Sequence, residues 1–164
     1  MLPINIIFDE MINYFQGDPK RIQHFLKVHS FAKLIGEKEN LSSDKLYILE
    51  ITALMHDIGI KNAELKYNSS SGKYQEIEGP IPARTILEKH NVDSTIIERV
   101  CFLIAHHHTY DKIDDLDYQI LVEADFLVNF FEDNSPSNAI ESALNKIFKT
   151  PSGINLCKTI YNLK

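Results

Sequence analysis

Charged and imidazole side chains interrupt two strongly apolar parts of this sequence. His56 and Asp57 follow the apolar pair Leu54-Met55, and Asp125 stands inside the largely apolar stretch 121–128. A buried carboxylate must pair, bind a metal or become protonated, because an isolated charge is costly to bury. The unpaired carbonyls at a helix C-terminus also favour a cation near His56 and Asp57. Nitrogen and carboxylate ligands of this kind suit a divalent metal.

Each of these signals also has a structural explanation. His56 and Asp57 could form a helix-terminal pair that is hydrogen-bonded to the backbone. Asp125 could form a salt bridge with Arg84 or Arg99. Other histidines also lie on apolar stripes, so this explanation needs three separate buried polar groups to occur by chance. One metal site accounts for all three. Metal binding is therefore the favoured interpretation.

Two histidines, His24 and His29, compete for a further ligand position. Five residues at about 100° each place them about 140° apart on a helix, so only one can point squarely at a given site. His24 continues the line through Val28 and Ile35, and His29 lies along Phe25. The periodicity leaves the choice open.

The elements that must position these residues are helical. Apolar residues recur at three- and four-residue steps between recognisable starts and stops. The segments with this pattern are 3–16, 19–39, 43 to a stop at Gly59, 81–90, 94–109, 115–133, 136–148 and 152–163. The third segment is apolar nearly all round and is predicted to be central. No stretch alternates as a strand, so the sequence predicts one all-α domain.

Residues 61–79 show little periodicity and contain Asn68-Ser69-Ser70-Ser71-Gly72. They are long for a passive connection in a compact domain. The sequence predicts a surface loop or lid here.

The composition is that of a folded domain: 164 residues, 44% hydrophobic, 24% charged and a net charge of -6. A nucleic-acid polymer is not expected as a partner, because gripping its backbone needs clustered Lys and Arg. Cys101 and Cys157 lack metal-finger spacing and are predicted to be buried free thiols. The apolar runs are short and Asp9-Glu10 lies near the amino terminus, so no membrane partner is expected and a cytoplasmic location is predicted.

Three motifs occur in order along the chain: Arg21-Ile-Gln-His24-Phe-Leu-Lys-Val28, Leu54-Met-His56-Asp57-Ile-Gly59 and Glu123-Ala-Asp125. This pattern of His, then His-Asp, then a distant Asp resembles the HD-domain metal-dependent phosphohydrolase superfamily. The resemblance covers about residues 19–130. It implies a single HD-type helical domain over 1–164, with that metal-site core and with helices in 136–163 completing the bundle. It also places the first ligand at His24 rather than at His29.

The resemblance implies that His24, His56, Asp57 and Asp125 hold one divalent ion, either Mn, Fe, Co or Ni, or Mg. It implies a catalytic role for Asp57 as a ligand of the ion, whose bound hydroxide attacks phosphorus. The expected reaction cleaves a phosphoester or pyrophosphate bond of a small phosphorylated metabolite or nucleotide. The alternative is a metal-containing nucleotide-sensing or regulatory module without turnover. The substrate and the oligomeric state, including a homo-oligomer, are left open.

A second dense cluster is Leu103-Ile-Ala-His106-His107-His108-Thr-Tyr-Asp111. Its His-His pair and Asp111 resemble part of the segment that binds additional metals in the HD-GYP branch. The Gly-Tyr-Pro signature is absent, however, and Glu78-Gly79-Pro80 occupies the stretch where a further histidine is usual. His106 and His107 are therefore candidates for phosphate binding or proton transfer, for a second metal, or for solvated positions at a helix end. His108 is a candidate substrate contact.

Four more residues are candidates outside the ligand set. Glu78 could be a general acid or base, or an acidic residue placed before a helix N-terminus. Lys61 follows the His-Asp-Ile-Gly turn near the place where some relatives contact phosphate, with the register shifted by one. Lys73 and Arg84 are candidates for binding substrate charge, or are surface charges. The acid and base that follow His-Asp in other branches have no counterpart in 58–61.

Overall fold

Ten α-helices and no strand make up the regular structure of the computed structural model, which describes residues 1–164. The helices are α1 (Ile4–Tyr14), α2 (Pro19–Lys38), α3 (Ser43–Met55), α4 (Ile60–Tyr67), α5 (Gly72–Glu78), α6 (Pro80–Lys89), α7 (Ser94–Ile104), α8 (Leu116–Glu132), α9 (Ser137–Ile147) and α10 (Pro151–Ile160). The prediction of an all-α protein is confirmed.

Capping residues fix the starts of the helices that carry the site. Asp18 caps α2 by accepting from the backbone N–H of Arg21, and Pro19 occupies the first helical turn. Ser42 caps α3 by accepting from the N–H of Lys45. Each cap satisfies an N–H group that has no partner within the helix. The polar starts predicted from sequence near 19 and 43 are therefore correct.

The prediction of a loop over 61–79 is wrong, because α4 and α5 occupy most of that stretch. Each helix spans only about two turns, which is too short for an apolar period to show in the sequence. Ala63 of α4 and Gln75 of α5 are buried. Gly59, which precedes α4, lies so close to Gly79 that a Cβ there would meet the Gly79 nitrogen at 2.7 Å. The two helices are packed against the domain rather than free.

Two predicted helices end earlier than expected, and both early ends fall at candidate site residues. Helix α3 ends at Met55, and residues 56–59 form a turn that leads directly into α4. Helix α7 ends at Ile104 rather than at 109, and residues 105–108 form a second turn. The His-Asp pair and the three consecutive histidines therefore lie in turns between helices.

Helix α3 lies between two hydrophobic clusters, so its predicted central position is confirmed. One cluster joins it to α2, α8, α9 and α10, through residues such as Leu49 and Leu121. The other joins it to α1, α2, α6 and α7, through residues such as Ile51 and Ile97. Helix α2 packs along both α3 and α8. Residues on α2, α3 and α8 are thereby brought to one place.

Both cysteines are buried and unpaired, as predicted. Burial raises the pKa of the Cys157 thiol to about 11, which keeps it protonated and unreactive near neutral pH. None of the ten helices combines the length and the apolarity needed to cross a membrane.

Candidate metal centre

Four side chains from three parts of the chain meet where α2, α3 and α8 pack together. His24 comes from α2, His56 and Asp57 from the turn after α3, and Asp125 from α8. The Nε2 atoms of His24 and His56 are 3.2 Å apart. Oδ2 of Asp57 lies 3.3 Å from the His24 Nε2 and 3.5 Å from the His56 Nε2. Oδ1 of Asp125 lies 3.2 Å and 3.5 Å from the same two nitrogens.

These separations fit ligand atoms that share one ion. Two ligand atoms that are each about 2.1 Å from a common ion are about 3.0 Å apart at a right angle and about 3.4 Å apart at a tetrahedral angle. The five distances of 3.2–3.5 Å lie in the upper part of this range or slightly above it. His24, His56 and Asp57 form a group whose ligand atoms are close enough to hold one ion, and Asp125 lies beside this group, against both imidazole nitrogens. The cluster could therefore hold a divalent cation without large rearrangement.

The hydrogen bonds on the far side of each ring show which nitrogen carries the proton. Nδ1 of His56 lies 2.8 Å from the carbonyl oxygen of Ala53, which only accepts, so this nitrogen donates. Nδ1 of His24 lies 2.8 Å from a carboxylate oxygen of Glu132 and donates in the same way. A neutral imidazole that donates from Nδ1 has a lone pair on Nε2. Both Nε2 lone pairs therefore point into the cluster.

The cluster without a cation is thus a set of acceptors facing one another. Burial lowers the pKa of His56, but the Asp57 charge and the hydrogen bond with Asp125 outweigh it and raise the pKa to about 9. Despite burial, His56 and the other imidazoles hold the pKa of Asp57 well below its usual range. The pKa of Asp125 is likewise lowered, by His24 and His56. The negative potential here favours a proton or a metal ion.

His107 extends the cluster from the turn after α7. Its Nδ1 donates to the carbonyl oxygen of Ile104 at 2.8 Å, so its Nε2 also carries a lone pair. That Nε2 is buried, has no hydrogen-bond partner and lies 3.5 Å from Oδ1 of Asp57. Asp57, His107 and His108 form a second group whose ligand atoms are close enough to hold an ion. The sequence indicated His107 as a candidate but did not distinguish it from His106.

The three consecutive histidines face different surroundings. His106 bonds through Nδ1 to the carbonyl oxygen of Phe102 and packs on the Phe102 ring, and it belongs to neither ligand group. His108 faces the cavity beside the cluster, and its Nε2 lies 3.0 Å from Oε1 of Gln75. Burial and the neighbouring His107 lower the pKa of His108 to about 4, so it is neutral near pH 7.

Four of the sequence candidates lie away from the cluster and do not line its cavity. Glu78 accepts from Lys66 Nζ at 2.7 Å and from Tyr67 Oη at 3.0 Å, which ties α5 to α4. This pairing with Lys66 lowers the pKa of Glu78. The structure gives Glu78 a role in joining two helices rather than a place beside a reacting group.

The three candidate cations are likewise engaged elsewhere. Lys61 donates to the carbonyl oxygen of Tyr14 at 3.2 Å. Arg84 forms a two-pronged pair with Glu98 at 2.8 and 2.9 Å, and Lys73 is exposed with its Nζ over the Tyr74 ring. Because none lines the cavity, the structure does not bring them to the cluster.

The structural alternative for Asp125 is wrong. Arg84 pairs with Glu98, and Arg99 pairs with Asp114 and Asp117. Asp125 instead faces the two imidazoles and accepts from the Asn129 side chain at 3.0 Å. No arginine balances its charge.

A polar cavity of about 510 Å³ opens beside the cluster. Of the 13 residues that line it, one is hydrophobic. The lining residues that sequence reasoning did not identify include Asp18, Lys20, Gln75, Asn129, Glu132 and Asp133. Lys20 and Arg21 are its cations, and both lie in the first turn of α2, which carries His24 one turn later. Their helical spacing from His24 is the signal that could have found them.

The fold and the cluster define an all-helical protein with a buried His/Asp site suited to a divalent cation. The family model described as "HD domain" matches residues 21–134, and the chain belongs to this family. Its fold is similar to the crystal structure of a predicted HD superfamily hydrolase from an uncultured Thermotogales bacterium, with a TM-score of 0.69. The two are 24% identical, and the similarity covers 95% of this chain and 83% of that one. No curated protein matches the sequence.

Proposed function

We propose that this protein is a metal-dependent phosphohydrolase that cleaves a phosphoester or pyrophosphate bond of a small phosphorylated metabolite, of which a nucleotide is one type. One observation carries the proposal: ligand atoms of His24, His56, Asp57 and Asp125 converge with no Lys or Arg side chain among them. The lone pair on the buried His107 Nε2 strengthens it.

His24, His56, Asp57 and Asp125 would hold the ion through two nitrogens and two carboxylates. Such mixed ligands suit Mn, Fe, Co, Ni or Mg better than a thiolate site would. When bound, the ion would supply Lewis-acid activation of water and of a phosphoryl oxygen. The buried rings keep bulk water from one side of this site, since His56 has no exposed side-chain surface.

Lys20, Arg21 and His108 of the cavity would bind and orient the substrate. Arg21 is held by Asp18 at 2.8 Å and by Glu64, so its guanidinium is positioned before a ligand arrives. Lys20 adds a second positive charge at the same helix start. These two cations suit the anionic oxygens of a phosphate group. His108 is neutral near pH 7 and would contact the substrate as a hydrogen-bonding ring.

His107 would hold a proton at Nε2 or bind a second ion together with Asp57. Its lone pair lies within reach of the Asp57 carboxylate, and no protein donor reaches it. The two roles differ in metal stoichiometry, which is one ion per chain for proton transfer and two for a second site.

The test begins with metal content. Protein purified without chelators is analysed for bound metals, and stripped protein is reloaded with Mn, Fe, Co, Ni or Mg separately. Each form is assayed against phosphomonoesters, nucleotides and dinucleotides. We expect at least one ion per chain and release of phosphate or a phosphorylated product from one class. Asp57→Asn should lose both, whereas Asp9→Asn, a matched charge change at an exposed position on α1, should retain both.

Two other results of this experiment would contradict the proposal in different ways. A loaded protein that binds a nucleotide, gains thermal stability from it and forms no product would be a regulatory module rather than an enzyme. A folded protein that takes up none of the five metals would remove the basis of the proposal altogether.

A further inference from the structure

Glu132 is the last residue of α8 and lies seven residues after Asp125. Seven residues are about two helical turns, so both side chains project from the same face of α8, toward α2. Oε2 of Glu132 lies 2.8 Å from Nδ1 of His24. The Glu132 side chain is only 16% exposed, so this contact is sheltered from solvent.

The second carboxylate oxygen of Glu132 is also engaged. Oε1 lies 2.7 Å from Nζ of Lys27, which follows His24 by three residues on α2. Residues three apart are neighbours on a helix surface, so one carboxylate spans two adjacent α2 side chains. A carboxylate held at both oxygens has little freedom to leave the His24 ring.

His24 differs from the other two imidazoles of the cluster in what holds its Nδ1. The Nδ1 atoms of His56 and His107 donate to backbone carbonyls, of Ala53 and Ile104. The Nδ1 of His24 depends on a side chain, that of Glu132. Without this acceptor a neutral ring can place its proton on either nitrogen. A proton on Nε2 would occupy the atom that faces Asp57 and Asp125 and would block a cation.

We propose that Glu132 is a positioning residue for His24: it keeps the proton on Nδ1, fixes the ring orientation, and so presents the Nε2 lone pair to the metal. An anionic partner also makes an imidazole a stronger donor to a metal. The inference rests on the proposed metal centre, since without an ion there is no role for the oriented lone pair.

The experiment measures metal binding rather than turnover. Purified full-length protein is stripped of metal, and Mn²⁺ affinity is determined from the free Mn²⁺ signal in electron paramagnetic resonance. The visible absorption spectrum of the Co²⁺-loaded protein reports ligand geometry and donor strength. The variants are Glu132→Ala and the isosteric Glu132→Gln, which protects the test if the smaller residue disturbs folding. Asp133→Asn is the matched control, because it removes a charge one residue away that lines the same cavity.

We expect Glu132→Ala to weaken Mn²⁺ binding by about 10- to 100-fold. Glu132→Gln should lose less, because its amide oxygen can still accept from Nδ1. The Co²⁺ bands should shift in both variants. Asp133→Asn should remain within about threefold of wild type, because an exposed charge acts weakly through water.

Three results would overturn the inference. Wild-type affinity and an unshifted Co²⁺ spectrum in both Glu132 variants would reject the positioning role while leaving the metal centre intact. An equal loss in Asp133→Asn would show that only net charge matters. Absence of Mn²⁺ and Co²⁺ binding in the wild-type protein would instead reject the metal centre, and this inference would fall with it.

Discussion

The Nδ1 atom of His56 lies 2.8 Å from the carbonyl oxygen of Ala53, one turn earlier in the chain. This bond satisfies a carbonyl at the end of α3 that has no partner within the helix. In the neutral ring, it also leaves the lone pair on Nε2, which faces the cluster. The C-terminal end of α3, a helix with a largely buried surface, thus orients a candidate metal ligand.

Metal affinity should increase with pH. The pKa of His56 is raised to about 9 in the metal-free protein, so below that pH an ion must displace a proton. Mn²⁺ binding should tighten by about tenfold or more per pH unit between pH 6 and 8. Titration calorimetry at several pH values, in buffers of different ionisation enthalpy, would measure both affinity and proton release. An affinity that does not change with pH would contradict this prediction.

In the metal-free protein, the stabilisation that protonated His56 contributes to the fold should decrease as the pH rises. Because the folded pKa of His56 lies above its ordinary value of 6.5, the protonated ring stabilises the fold fully below about pH 6.5. That stabilisation is lost as the pH rises toward 9. Urea unfolding of stripped protein at pH 6.5 and pH 9 would measure it. His56→Gln should reduce the difference, and an unchanged difference in that variant would assign the trend to other groups.

Gly59→Ala should destabilise the protein because the backbone passes too close at this point. A Cβ at residue 59 would overlap the carbonyl oxygen of Gln75 and would meet the nitrogen of Gly79 at 2.7 Å. Backbone atoms cannot move aside as a flexible side chain can, so we expect a loss of about 1–3 kcal/mol in the free energy of unfolding. Urea denaturation measures this loss. The exposed Ser137→Ala should change the same quantity by less than about 0.5 kcal/mol, and an equally small effect of Gly59→Ala would contradict the close approach.

Glu123 is predicted to anchor the segment between α9 and α10 to α8 rather than to bind a metal. Its buried carboxylate accepts from the side chain of Gln119 at 2.7 Å, from the backbone N–H groups of Lys149 and Thr150 at 2.7 and 2.9 Å, and from the Thr150 hydroxyl at 2.5 Å. Glu123→Ala should lower the free energy of unfolding by about 2–4 kcal/mol, since these buried donors lose their partner. Metal stoichiometry of the folded variant should stay at the wild-type value. Glu141→Gln, an exposed change on α9, is the control, and loss of metal without loss of stability in Glu123→Ala would contradict the assignment.

Glu78→Gln separates a structural from a chemical role. The bonds from Lys66 and Tyr67 to Glu78 join α4 to α5. The variant should therefore show faster amide hydrogen exchange in 60–78, because local opening becomes easier, with unchanged metal stoichiometry. Hydrogen exchange with mass spectrometry, together with metal analysis, checks this. Unchanged exchange combined with a large loss of turnover would restore Glu78 as an acid or base.

The long helices could be predicted from the sequence more completely than the segment 61–79. The apolar stripes of α2 and α7 are long enough to show which face of each helix is buried. Asp18-Pro19 indicates the start of α2. The predicted loop over 61–79 was wrong, because α4 and α5 are too short to show an apolar period. Their packing depends on contacts such as that between Gly59 and Gly79, which no local pattern records.

The choice between His24 and His29 also depended on packing that a local sequence pattern does not show. Periodicity left the two nearly equal, and the family resemblance named His24. In the structure the Nε2 atoms of His24 and His56 are 3.2 Å apart. His29 is buried elsewhere, with its Nε2 2.9 Å from Oε1 of Glu50. The burial of both rings explains why an apolar stripe could not separate them.

The sequence by itself determined that the protein is helical, that α3 is central, and that polar residues at 24, 56, 57 and 125 interrupt apolar faces. These properties follow from the spacing of residues along the chain, which does not depend on how the helices pack. Only the tertiary structure decided that Arg84 pairs with Glu98, that His107 presents an unpartnered nitrogen, and that Glu132 reaches the His24 ring. Those relationships join residues from different helices or depend on what surrounds them, and side-chain partners of that kind are set by packing rather than by sequence distance.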